Sequence, residues 1–316
     1  MEPLGSNKTL RTVVLPIAIA IALYWITSST FLSVIVLLLA SQRVDTVNEG
    51  LISILVVALF VIVYHYIQLK ELFTSGEGFG LFIIGLYLPI STLVASGIWI
   101  ATEKKRMLYR LLYASLFAFV SGFLIVVWLS GNSASALNTR NVYQSLISSL
   151  VSFAMANQIP LNDMNEIATV VTSIITNVGL MFFIAQFGIA VFISEMMSKQ
   201  SNSEFQEKML KWSIPHEAIW FLLAGMSSIL LSFLVDSILI ESLAYNVSTV
   251  VALLYAVQGI SIAANFLVKK FPHIRPSRIF FLSGALMILP GANVVFILGF
   301  PLLGISETWI TYRQNE

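Results

Sequence analysis

Residues 244–268 read AYNVSTVVALLYAVQGISIAANFLV, a run without a single charged side chain. An apolar run of roughly 18 residues or more is long enough for a helix to cross the hydrocarbon core of a bilayer. This one is not uniformly apolar. Ser248, Tyr255, Gln258, Ser261 and Asn265 follow one another at intervals of seven, three, three and four. On a helix those intervals place all five on one face, so the helix has something polar to meet. Two marked stretches flank it: Lys211-Trp212-Ser213-Ile214-Pro215 before, and Gly304-Ile305-Ser306-Glu307-Thr308-Trp309-Ile310-Thr311-Tyr312-Arg313 after.

Outward from this span, further apolar segments fall at about 12–40, 50–69, 79–101, 107–130, 165–197, 216–240 and 278–304. Of the 316 residues 58% are hydrophobic and 10% are charged, with a mean hydropathy of +0.89. Soluble domains carry about 25% charged residues. An outer-membrane barrel would show alternating segments of about ten residues, whereas these runs are continuous. The expected fold is therefore all-α: a polytopic helical integral membrane protein with about eight transmembrane helices. There would be nine if Thr27-Ser28-Ser29-Thr30 breaks the segment 12–40 into a tight hairpin. Lys8 and Arg11 precede that segment without a small-residue cleavage pattern, so it reads as an uncleaved first membrane segment.

The connection 131–164 is long. Its middle mixes Val142, Leu146, Ile147 and Val151 with Gln144, Ser148, Ser149 and Ser152, the pattern of an amphipathic interfacial helix. The expected organisation is a single membrane domain over 1–316. It comprises an N-terminal helix group (1–130), this outer loop (131–164) and a C-terminal group (165–316). Arg43; Lys104, Lys105, Arg106 and Arg110; Lys199, Lys208 and Lys211; and Lys269, Lys270, Arg275 and Arg278 lie in alternate loops. The positive-inside rule makes those loops cytoplasmic.

Chemistry-bearing motifs are sparse. A net charge of +1 offers no basic stripe to nucleic acid. Zero cysteines exclude disulfides and thiolate metal sites. His65, His216 and His273 lack metal-ligand spacing, so no metal and no cofactor is expected. Gly76-Glu77-Gly78-Phe79-Gly80 lacks the lysine of a phosphate loop, and His216-Glu217 lacks the second histidine of a zinc protease. No catalytic residue is assigned, and an enzyme is not expected. Pro290-Gly291-Ala292 should break or kink the last span.

Polar residues inside hydrocarbon are costly and invite a functional reading. That reading is an outward-facing cavity built from Asn177, Asp236, Tyr255, Gln258 and Asn293. The other reading is interhelical glue, each hydrogen bond contributing about 0.6 kcal/mol on average. Ala18 and Ala22 are small residues at i and i+4, a spacing that lets another helix approach closely.

Trp212-Ser213-Ile214-Pro215, Tyr255-Ala256-Val257-Gln258-Gly259-Ile260-Ser261, and Gly304-Ile305-Ser306-Glu307-Thr308-Trp309 with Arg313 together resemble the motifs of the YybS-like bacterial membrane proteins, domain-of-unknown-function family 2232. Glu307 stands where that family is expected to carry Asp. The resemblance implies a multi-pass protein of the bacterial cytoplasmic (inner) membrane, in contact with the lipid bilayer. It further implies distant similarity to the substrate-binding components of energy-coupling-factor vitamin transporters. Ala18 and Ala22 would then face a transmembrane coupling protein carrying ATPases. The expected function is a small-solute-binding transporter component or a relative of one, the alternative being a structural or assembly protein with no small ligand.

Overall fold

The computed structural model describes residues 10–44, 46–74, 78–154, 161–198, 202–235, 237–289, 293–310 and 312–313. Asp236 and Pro290-Gly291-Ala292 lie outside the described residues. A π-helical turn, Leu10–Val14, leads into α1 (Leu15–Thr27). There follow α2 (Thr30–Ser41), α3 (Val47–Thr74), α4 (Gly78–Ala101), α5 (Met107–Ser130), α6 (Ala134–Ala154), α7 (Leu161–Met197) and α8 (Asn202–Leu210). The last four are α9 (Ala218–Ser232), α10 (Ile238–Lys270), α11 (Pro276–Ile288) and α12 (Asn293–Ser306). There is no strand among the described residues. Five helices, α3, α4, α5, α7 and α10, are long and apolar enough to cross a membrane. Four more apolar helices, α1, α2, α9 and α12, are shorter, at 10–17 residues.

The first apolar segment is two helices. Ser28 takes a left-handed conformation at φ 51° and closes α1 by donating its N–H to Tyr24 O at 2.7 Å. Ser29 then opens α2, its hydroxyl accepting from Phe31 N at 3.3 Å. Ser33 Oγ donates to Ala20 O at 2.8 Å. Thirteen residues of straight helix would hold those two positions about 20 Å apart, so the chain doubles back. Val34, Leu37 and Leu38 of α2 are buried with Val57 and Val61 of α3, Leu93 and Ala95 of α4, and Phe183 and Phe187 of α7 in one core. The long outward rows, such as Ile52, Leu55, Leu59 and Val63 on α3, are exposed. On a soluble protein such patches would drive association; here they are the lipid-facing surface.

The expected amphipathic helix is α6, with Ala136, Thr139 and Ile147 buried. Arg140 turns back to donate to Leu129 O and Gly131 O, closing the end of α5. The last apolar segment, 278–304, is divided into α11 and α12. Ile279 and Phe280 of α11 bury with Phe205 and Met209 of α8 and Ile260 and Ala264 of α10, and Met287 packs against the same cluster.

Helix α10 is the axis of the C-terminal group. Helix α9 packs against it through Gly225, where a Cβ would stand 3.2 Å from Ser248 N and 3.4 Å from Ala244 O. On another face α10 runs beside α7 in the same direction. Asn246 accepts from Leu180 N at 3.0 Å and donates to Thr176 O at 2.8 Å, bridging a turn of α7 with its own amide. Ser242 Oγ also donates to Thr176 O, at 3.0 Å. Replacing Asn246 with Leu removes its bonds to Leu180 N and Thr176 O, at a cost of about 0.5–1.5 kcal/mol for each bond lost. The unfolding midpoint in mild detergent should fall accordingly, and an unchanged midpoint would contradict this role.

Candidate functional site

The polar face of α10 meets a stretch of chain that is not helical. After α8 the backbone leaves helical geometry from Trp212 to Pro215 and re-forms a helix at Ala218. Pro215 disfavours helical geometry at Ile214 and offers no N–H of its own. Trp212 and Ile214 are buried, at 4% and 8% exposure, so the backbone there has little water to bond. Buried backbone N–H and C=O groups need partners within the protein.

The stripe supplies those partners. Ile214 N donates to Gln258 Oε1 at 2.7 Å. Ser261 Oγ donates to Leu210 O at 2.8 Å. The other end of the Gln258 amide, Nε2, donates to Gly304 O at 3.1 Å and Glu307 Oε2 at 2.9 Å. An N–H facing the amide oxygen, with a carbonyl and a carboxylate facing the nitrogen, fixes which way the amide points. Its two donor hydrogens and its oxygen are all engaged by protein.

Past α12 the chain turns so that Arg313 faces the same spot. Arg313 Nε and Nη2 donate to Glu307 Oε1 and Oε2 at 2.8 and 2.5 Å, a two-pronged pair. The Arg313 and Glu307 side chains are only 14% and 11% exposed. Arg313 Nη1 reaches Leu210 O at 3.0 Å and Ser261 Oγ at 2.9 Å. Three sequence stretches thus close into one network: Leu210–Ile214, Gln258–Ser261 and Gly304–Arg313.

Two glycines allow the approach. A Cβ at Gly259 would lie 2.8 Å from the Phe300 carbonyl carbon and nearer still to its oxygen. A Cβ at Gly304 would meet the Tyr255 carbonyl carbon at 2.9 Å. Contact moves up α12 as it moves down α10, so the two helices are antiparallel with backbones touching.

Of the five residues read as cavity-forming, Asn177 and Asn293 stand apart from the face that Tyr255 and Gln258 share. Asn177 donates to Glu241 Oε1 at 2.9 Å near the start of α10. Seventeen residues of helix separate Glu241 from Gln258, about 25 Å. Tyr255 and Gln258 share a face, and the Tyr255 hydroxyl is buried. Asn293 begins α12, its Oδ1 accepting from Val294 N at 2.9 Å, with eleven residues of helix, about 16 Å, between it and Gly304. Asp236 lies outside the described residues. Ala18 and Ala22 are exposed on α1 beside Ile19, Trp25 and Ile26. No group of three or more potential metal ligands occurs among the described residues.

The sequence reading missed Asn246, Ser242 and Leu210. Asn246 carried a visible signal, an amide inside an apolar run. The Leu210 carbonyl carried none, because a backbone group leaves no trace in residue type.

A family described as a predicted membrane protein, DUF2232, matches residues 13–301. No curated protein and no solved structure matches the chain.

Proposed function

The chain belongs to the DUF2232 family of predicted membrane proteins, and we propose that it is a non-enzymatic structural or assembly protein of the bacterial cytoplasmic membrane. One observation carries this reading. The polar atoms of Gln258, Ser261, Glu307 and Arg313 that face the interior are engaged by the chain itself. A ligand would have to displace those bonds, each worth about 0.5–1.5 kcal/mol net and more where a charge takes part. The stripe then serves to hold a non-helical segment inside a helical bundle, and the exposed apolar rows meet lipid.

A second reading, a small-solute-binding transporter component, is favoured by the broken helices. Short helix pairs stand near both ends of the chain, α1–α2 and α11–α12. Interrupted helices in both halves of a chain are a pointer to transport sites. In that reading the exposed Ala18 and Ala22 of α1 face a coupling protein with ATPases.

A thermal-shift screen of vitamins, metal ions and lipid precursors, run on wild type and Gln258→Leu, separates the two. The structural reading predicts that no solute shifts the wild type, and that Gln258→Leu lowers the midpoint in every condition alike. The drop corresponds to about 1–3 kcal/mol for each buried partner left unpaired. A solute that stabilises the wild type and loses its effect in Gln258→Leu would establish the transporter reading instead.

A further inference from the structure

We propose that the junction between α10 and α11 binds the phosphate of an anionic phospholipid headgroup. Lys269 and Lys270 end α10, and a compact turn follows, with Phe271 N donating to Leu267 O at 2.7 Å and Ile274 N to Phe271 O at 3.0 Å. Arg275 then sits at the N-cap of α11 and Arg278 in its first turn. Four cations therefore crowd the two sides of one five-residue turn, and all four are exposed.

No Asp or Glu occurs between Glu241 and Glu307, and none of the four has a carboxylate partner among the described residues. Three other cations are paired: Lys208 with Glu204 at 2.7 Å, Lys211 with Glu207 at 2.5 Å, and Arg313 with Glu307. Four exposed cations on one turn, with no acidic residue on α10 after Glu241 or anywhere on α11, favour a counter-charge from outside. Clusters of four or more Lys and Arg at the end of a spanning helix attract anionic lipid headgroups.

The neighbouring surface is shaped for a lipid, not for free phosphate. Arg278, Phe281 and Leu282 are spaced i, i+3 and i+4, so they share a face of α11. Phe281 and Leu282 are 73% and 59% exposed. Phe271, 38% exposed, lies beneath Lys270, whose Nζ is 5.6 Å from the ring centre. Cations gathered at the turn and bare apolar side chains along the helix match a phosphate with acyl chains behind it.

The test uses the full chain in neutral detergent with added dioleoylphosphatidylglycerol or dioleoylphosphatidylcholine, reading retained lipid by native mass spectrometry and the unfolding midpoint in parallel. The wild type should retain phosphatidylglycerol in preference and gain stability from it. K269Q/K270Q/R275Q/R278Q should lose that preference, with retention falling about fivefold per cation removed. K104Q/K105Q/R106Q, which alters the other exposed basic turn, should keep it. The proposal is overturned by a wild type without preference, by a quadruple variant that retains phosphatidylglycerol normally, or by equal loss in the control variant. It is also overturned if inorganic phosphate reproduces the stabilisation.

Discussion

Gly304→Val and Gly259→Val should each abolish stable folding of the C-terminal helix group. The new Cβ meets backbone in both cases, the Tyr255 carbonyl or the Phe300 carbonyl, and backbone cannot rotate aside as a side chain can. Relief requires α10 and α12 to separate. Separation stretches the Gln258 bonds to Gly304 O and Glu307 Oε2, now 3.1 and 2.9 Å. Overpacking alone costs about 1–3 kcal/mol, and each lost hydrogen bond adds about 0.5–1.5 kcal/mol. The combined loss of about 2–6 kcal/mol is a large share of the total stability of a typical protein. Gly299 supplies an internal control. It lies in the same helix, but a Cβ there meets nothing within 4 Å. Gly299→Ala should therefore be neutral, or stabilise by up to about 1 kcal/mol through helix propensity. Yield of folded protein in mild detergent and its unfolding midpoint report both outcomes. Tolerance of valine at 304 would mean that the two backbones do not touch.

Arg313→Met is expected to be nearly as damaging. It leaves the Glu307 carboxylate, 11% exposed, without its counter-charge, and it removes one of the two donors to Leu210 O. Breaking one partner of a buried pair costs about 3–5 kcal/mol, whereas replacing both partners with apolar residues often costs little. Glu307→Leu combined with Arg313→Met should therefore be less destabilised than Arg313→Met alone. Recovery should stop short of wild type, because Gln258 Nε2 loses one acceptor and Leu210 O one donor. If the double variant lost the full sum of the two single losses, the pair would not be acting as a buried unit.

The helical membrane class was readable from the length of the apolar runs, since a span of that length has few other stable forms. A break at Thr27-Ser28-Ser29-Thr30 was one of the readings left open, because four small hydroxyl side chains interrupt an apolar run and compete for backbone bonds; the two helices decide for it. The polar face of α10 was visible as a spacing, but what it faces was not. Gln258 meets Ile214, 44 positions before it, and Glu307, 49 positions after it. Nothing in residue type encodes which distant segment arrives at a given face. Gly259 and Gly304 read only as members of short motifs until antiparallel packing gave them a shared reason. Asn177 and Gln258 were grouped because both are polar inside apolar runs, a criterion blind to the length of α10 between Glu241, which Asn177 meets, and Gln258.

A double-mutant cycle on Gln258 and Glu307 tests most directly whether these stretches form one network. Gln258→Leu, Glu307→Leu and the double variant would be unfolded in the same detergent and their stabilities compared. Direct contact in a shared network predicts a coupling of about 1 kcal/mol or more, within the range of roughly 0.5–3 kcal/mol found for touching residues. Strict additivity would mean that the two side chains do not meet, and would contradict the network.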